Sequence, residues 1–293
     1  MLPKRAYPVQ DSNVHSQEKK IIAGNWKMNI NHSQAVSYLQ ELNWRLIDNG
    51  HDFDSCEIAV FPPFTDLRSV QTLVASDDIQ ISYGAQDVSA FSDGAHTGQI
   101  SAQFLKDLDC KYVLIGHSEQ RCLPCYPGNN SAINELNNKH DGLIANKLLR
   151  SFAAGICPIL CIGDISPGDH FDATLSRFRS VLSHLKAISD KKHSIGYALG
   201  SKTHFLDSDQ LHMLVAYEPS SAINSGNCAN SGDIVRMAAA IKDIVNVRVL
   251  YGGGVNLFNA SAVFNEDLLD GILVGRASLN ASDFASLIKT CCL

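Results

Sequence analysis

Basic clusters are missing from this sequence. Its 24 Lys and Arg face 30 Asp and Glu, a formal net charge of −6. The adjoining basic residues, such as Lys19-Lys20 and Lys191-Lys192, stop at pairs, so no basic face for nucleic acid is expected. Long apolar runs are also missing. No window approaches the ~18 to 20 consecutive apolar residues of a membrane span, which excludes a membrane partner of that kind. Residues 1–20 are polar and mixed in charge, without the apolar centre of a secretory signal. They are predicted to form a flexible N-terminal extension. A framework of paired cysteines is absent too, because the nine cysteines are odd in number and scattered. That usage suits a reducing compartment and predicts a cytoplasmic location. Cys122-Leu-Pro-Cys125 has the spacing of half a zinc site, but no second Cys or His pair follows at a matching distance. Loop cysteines and no metal are therefore expected. Thr290 stands where a prenylation signal needs Cys.

What is present is an alternation. Apolar residues make up 45% and charged residues 18% of 293, enough to fill the core of a large soluble domain. Short β-branched runs near 21–27, 57–62, 80–85, 112–117, 157–162, 212–218, 247–252 and 270–275 read as strands. Amphipathic stretches between them, near 33–48, 66–76, 101–108, 131–154, 172–188, 231–244, 256–264 and 281–290, read as helices. Asn31-His-Ser33 and Ser231-Gly-Asp233 supply side-chain oxygens that can cap the first and sixth helices. Strands that are apolar throughout suit a parallel sheet covered by helices. The first strand–helix turn, Asn25-Trp-Lys-Met-Asn29, lacks the Gly-x-Gly-x-x-Gly run of a dinucleotide fold. Eight such units predict an α/β class protein, a closed (β/α)₈ barrel, as one domain over 21–293. Pro, Gly and Asn between Cys122 and about His140 predict an exposed inserted loop there.

In such a barrel, chemistry gathers at the C-terminal ends of the strands. Three of these ends carry reactive groups. Ile21-Ile-Ala-Gly24 runs into Asn25-Trp-Lys27, Tyr112-Val-Leu-Ile-Gly116 into His117-Ser-Glu119, and His212-Met-Leu-Val-Ala-Tyr217 into Glu218. An acid, an imidazole and an ammonium are the groups needed to move protons beside a carbonyl. His117 opens a turn or helix after a strand, where backbone N–H groups disfavour an imidazolium. Taken singly, each of these residues is more often a solvated charge or a satisfied structural group. Their joint occurrence at strand ends is what points to catalysis.

The motifs then resemble one family. Ala23-Gly-Asn-Trp-Lys-Met-Asn29, Ile115-Gly-His-Ser-Glu119 and Ala216-Tyr-Glu-Pro219 look like the first-, fourth- and sixth-strand motifs of triosephosphate isomerases. Tyr251-Gly-Gly-Gly254 and Asp270-Gly-Ile-Leu-Val-Gly275 resemble that family's phosphate-binding turns. Gly84-Ala-Gln86 and Gly94-Ala-His-Thr-Gly98 resemble its third loop, which reaches into a partner subunit. The resemblance implies the TIM barrel and an aldose–ketose isomerisation of a small phosphorylated sugar through an enediolate. It also implies the family's pairing of a carboxylate base with a neutral imidazole. By the same resemblance Glu218 is the base, His117 the electrophile and Lys27 the stabiliser of the enediolate and phosphate. Asn25 orients Lys27, and Glu119, beside Ser118, holds it. Asn224, Gly254, Gly275 and Arg276 fall at the phosphate turns. No cofactor is implied, and a homodimer through the loop around Gly94–Gly98 is.

Departures from the family fall on the loops. Ser221 stands where the family usually has Trp, and Asn224 where it has Gly, both in the lid over the substrate. Gly254 replaces a Ser. Arg276 replaces a Gly, and its side chain either points away or adds a direct contact to the ligand. Gln99 and Gln120 replace a Glu and an Arg near the dimer contact, and His96 replaces an aromatic at the tip of the third loop. These changes leave open an isomerase of a longer ketose phosphate, such as a tetrulose phosphate. A non-catalytic phosphate-ligand binder is a further alternative, against which the intact Lys27, His117 and Glu218 speak.

Overall fold

The computed structural model describes residues 19–121, 130–163, 170–194, 212–219, 221–222 and 226–292. Eight parallel strands close into a barrel in chain order, with β8 returning to pair with β1. The strands are β1 (Ile21–Asn25), β2 (Glu57–Phe61), β3 (Ser82–Ala85), β4 (Tyr112–Ile115), β5 (Cys157–Ile162), β6 (Leu214–Tyr217), β7 (Arg248–Tyr251) and β8 (Gly271–Val274). Around them lie helices α1 (His32–Asp48), α2 (Leu67–Ser76), α3 (Ala102–Asp107), α4 (Ser118–Arg121), α5 (Asn130–Ala154), α6 (His170–Ser194), α7 (Ser231–Ile244), α8 (Ala260–Phe264) and α9 (Ala281–Cys291). The eight strands and the barrel closure agree with the sequence reading.

Alternation of side chains along each strand divides the apolar residues into two cores. Ile21 and Ala23, Tyr112 and Leu114, Ile159 and Cys161, and Leu214 and Ala216 fill the inside of the barrel. Their neighbours Ile22, Val113, Ile115, Leu160, Ile162, Val215 and Tyr217 pack outward against the helices. Because the period is two, the next inward positions after Ala23 and Ala216 are Asn25 and Glu218. Both are buried, and the strands thus deliver them to the mouth of the barrel.

The helix ends follow local chemistry. Asn31 caps α1 in a reciprocal box with Gln34, satisfying otherwise free N–H groups. The cap of α7 is Asn230, which accepts from the Asp233 N–H, and Ser231 is already the first helical residue. An amide oxygen at the earlier position does what Ser231 was expected to do.

The helix expected near 131–154 is α5, and the overlapping loop expected over 122–140 is corrected from Asn130 onward, where α5 has begun. Tertiary pairing accounts for this. Arg177 on α6 grips the buried Asp141 carboxylate through two nitrogens, Nε at 2.9 Å and Nη2 at 2.6 Å, and reaches Asn137 at 2.8 Å. The asparagines that suggested a loop are in part partners of the neighbouring helix. Residues 122–129, with Cys122 and Cys125, and residues 1–18 lie outside the described residues.

Candidate active site

Glu218 follows β6 and is 2% exposed. One carboxylate oxygen, Oε2, accepts the backbone N–H of Ser118 at 3.0 Å. The other, Oε1, lies 3.1 Å from Nε2 of His117. Gly163, just after β5, lets the Glu218 backbone pass close by, because a Cβ there would collide with the Glu218 carbonyl. Beside the carboxylate, Cys161 is fully buried; burial pushes its thiol well above the ordinary range, and the Glu218 charge adds to that. The buried carboxylate therefore has a neutral thiol at its side.

His117 lies between β4 and the single turn of α4. Its Nδ1 faces the Glu119 backbone N–H at 3.3 Å. A ring nitrogen that accepts there carries no proton, so the proton resides on Nε2, facing Glu218. This tautomer directs the Nε2–H into the site, and the Glu119 carboxylate lies 3.6 Å from Nδ1.

Lys27 has φ of +53°, a left-handed conformation that costs a non-glycine residue of order 1–3 kcal/mol. Neighbours hold it there. Its N–H donates to Asn25 Oδ1 at 2.9 Å, and its carbonyl accepts from Gln86 Nε2 at 2.8 Å. Gln86 also donates to the Phe61 carbonyl at 2.8 Å, tying the bend to β2. The Lys27 ammonium meets Glu119 Oε1 at 2.7 Å. The Lys–Glu contact implied by the resemblance is thus present.

A cavity of about 320 Å³ opens among these groups. Of the sequence-predicted residues, Asn25, Lys27, His117, Ser118, Glu218, Gly254, Gly275 and Arg276 all line it. Glu119 joins through Lys27, and Asn224 lies outside the described residues. Arg276 therefore belongs to the cavity wall.

Several contributors were not singled out in the sequence. Arg121 brings a guanidinium 3.6 Å from Glu218 Oε2. Asn256 lines the cavity and donates from Nδ2 to the Gly226 carbonyl at 3.0 Å, fastening the end of the sixth loop to the seventh. The Tyr251 hydroxyl, on a fully buried residue, accepts the Ala229 N–H at 2.8 Å and ties the segment before α7 to the end of β7. Asp283, in the first turn of α9, lines the rim. The seventh-strand motif contained Tyr251, but its hydroxyl partner lies 22 residues earlier and has no signal in the local pattern. Among the described residues, no group of three or more His, Cys, Asp or Glu is arranged to hold a metal ion, and no helix is long and apolar enough to cross a membrane.

A closed parallel barrel with a buried carboxylate, an imidazole and a lysine around one cavity defines a class, a (β/α)₈-barrel enzyme of acid–base chemistry. The particular family follows from comparison. The family model described as triosephosphate isomerase matches residues 20–291, and the chain belongs to that family. It is 38% identical over 283 residues to the triosephosphate isomerase of Leifsonia xyli subsp. xyli, covering 92% of this chain and 96% of that protein. It is 39% identical over 279 residues to that of Mycobacterium tuberculosis, covering 92% and 95%.

Proposed function

We propose that this protein interconverts D-glyceraldehyde 3-phosphate and dihydroxyacetone phosphate, a step of glycolysis and gluconeogenesis, without a cofactor. The observation that carries the reading is the contact of Glu218 with His117 Nε2 at 3.1 Å across a cavity that Lys27 also lines. Glu218 removes a proton from the carbon next to the carbonyl and returns it to the neighbouring carbon. The His117 Nε2–H polarises the carbonyl oxygen as charge develops on it. Lys27, held by Asn25 and Glu119, stabilises the enediolate oxygens and the phosphate. The backbone N–H groups of Asn224, Gly254 and Gly275 bind the phosphate, and the guanidinium of Arg276 adds charge beside it.

The chain acts in the cytoplasm as a homodimer. The dimer forms through the exposed loop around Gly94–Gly98, where the Phe91 and His96 rings stack with centroids 4.4 Å apart.

Steady-state isomerisation of glyceraldehyde 3-phosphate by the purified chain, with Glu218→Ala as control, tests the assignment. A kcat/KM of roughly 10⁶ M⁻¹s⁻¹ or more, falling by about 10³-fold in the variant, is expected. A folded wild type without activity overturns it. Arg276 on the cavity wall favours one second reading, a longer ketose phosphate as substrate. A preference for a tetrulose phosphate by more than ~10-fold, about 1.4 kcal/mol in barrier, would select that reading.

A further inference from the structure

At the face of the barrel opposite the cavity, two cysteines from distant parts of the chain meet. Cys56 immediately precedes β2, and Cys292 follows the last turn of α9. Their sulfurs lie 3.0 Å apart across 236 positions of sequence. Unlinked sulfurs normally rest farther apart, and a disulfide bond would need them only about 1 Å closer. Both thiols are free. Their surroundings differ. Cys56 is buried at 1% exposure, whereas Cys292 is half-buried and lines a surface cavity of about 140 Å³ together with Ser55 and Lys289. The contact with Cys56 holds the Cys292 thiol below its ordinary range, and Ser55 acts in the same direction. That contact, with burial, pushes the Cys56 thiol up. The pair thus sets a half-buried cysteine that lines an opening against a sheltered one, with their sulfurs in contact, as attacking and resolving cysteines are arranged.

We propose that Cys56 and Cys292 form a reversible redox latch, closing into a disulfide under a peroxide oxidant and fastening α9 to the start of β2. The Cys292 thiolate attacks one peroxide oxygen, the O–O bond breaks, and the departing hydroxide takes a proton to become water. Cys292 is left as a sulfenic acid. The Cys56 sulfur then attacks the Cys292 sulfur, the S–O bond breaks, and the hydroxyl leaves as water with the Cys56 proton. Two thiols are oxidised, one hydrogen peroxide is reduced, and two waters form. A dithiol reductant reverses the result by exchange.

The latch acts on stability. The catalytic groups stand at the C-terminal strand ends, and Cys56 and Cys292 at the other face, where a barrel secures its fold. The link also closes a very long loop, the case in which a disulfide constrains the unfolded chain most.

The test uses the full chain. Reduced protein is treated with hydrogen peroxide, remaining thiols are alkylated, and peptides are mapped by mass spectrometry without reduction. Thermal midpoints and kcat/KM are measured on the same samples. A Cys56–Cys292 linked peptide is expected, with a midpoint raised by roughly 5–10 °C, kcat/KM unchanged within twofold, and all effects reversed by dithiothreitol. Cys56→Ser and Cys292→Ser should each abolish the shift. The wild-type peptide map stands whether or not those variants fold, and it does not depend on which sugar phosphate the enzyme uses. Peroxide that oxidises Cys292 without linking it to Cys56, or a link that leaves the midpoint unmoved, overturns the latch.

Discussion

Gly254 shows how much one residue depends on its neighbours. The family's usual Ser at this position suggests that Gly254→Ser would restore a lost phosphate contact. The structure argues the opposite. Gly254 has φ of +60°, and a Cβ there would collide with the Asn227 carbonyl. Its own carbonyl is engaged by Asn259 Nδ2 at 3.1 Å and by Asn256 Nδ2 at 3.3 Å, so the turn has little room to shift. Gly254→Ser is therefore expected to destabilise the protein by about 1–3 kcal/mol and to raise KM. Thermal unfolding and steady-state kinetics of the variant check this, and a gain in either property would show that the turn relaxes. The departure from the family thus has a local cause, the packing of the sixth loop against the seventh. A single sequence shows the glycine without the carbonyl that requires it.

Among elements, the N-terminal ends of β2, β3 and β4 are joined through one carboxylate. Glu57 accepts from Lys111 Nζ at 2.6 Å, Ser82 Oγ at 2.8 Å and the Tyr112 hydroxyl at 2.9 Å. Burial alone would push its carboxyl up, but these three donors outweigh burial and hold it below its ordinary value near 4.5. A carboxyl lowered by folding contributes stability that is fully present above its unfolded value and is lost as pH falls through the folded one. The midpoint advantage of wild type over Glu57→Gln is accordingly expected to hold above pH 5 and to shrink as the pH is lowered toward 3. Thermal melts at intervals across that range test it, and a constant gap would refute the linkage. Elements were the most legible level of this chain. Strand after strand was visible as an apolar run, since burial on both faces leaves no polar residue to interrupt it. The same uniformity hid which residues face inward, so the placing of Asn25 and Glu218 needed the register. Asn137 lay where the helix expected near 131–154 and the loop expected to about 140 overlapped, and only Arg177, 40 residues further on, shows it as a partner within the helix.

At the scale of the whole molecule, the exposed third loop sets the expected assembly. Met28 is 96% exposed and Phe91 43%, large apolar groups that a second subunit would cover. A dimer is expected in sedimentation at micromolar concentration, and deletion of the tip between Gly94 and Gly98 should give monomers. A monomeric wild-type profile would remove the dimer. The residues proposed for catalysis were legible because they fall at strand ends. The ties among Tyr251, Ala229 and Asn256 were not, since they exist only after the chain has folded. Barrel closure carries a consequence in time. Ile21 on β1 finds its partner, Gly271 on β8, only about 250 residues later, so at typical rates of synthesis the first strand waits roughly 12 to 50 s for its neighbour. During that interval the growing sheet has two open edges and an uncovered inner face. The nascent chain is thus exposed to aggregation until β8 has left the ribosome, and protease protection of β1 in stalled chains should appear only once Val274 has emerged.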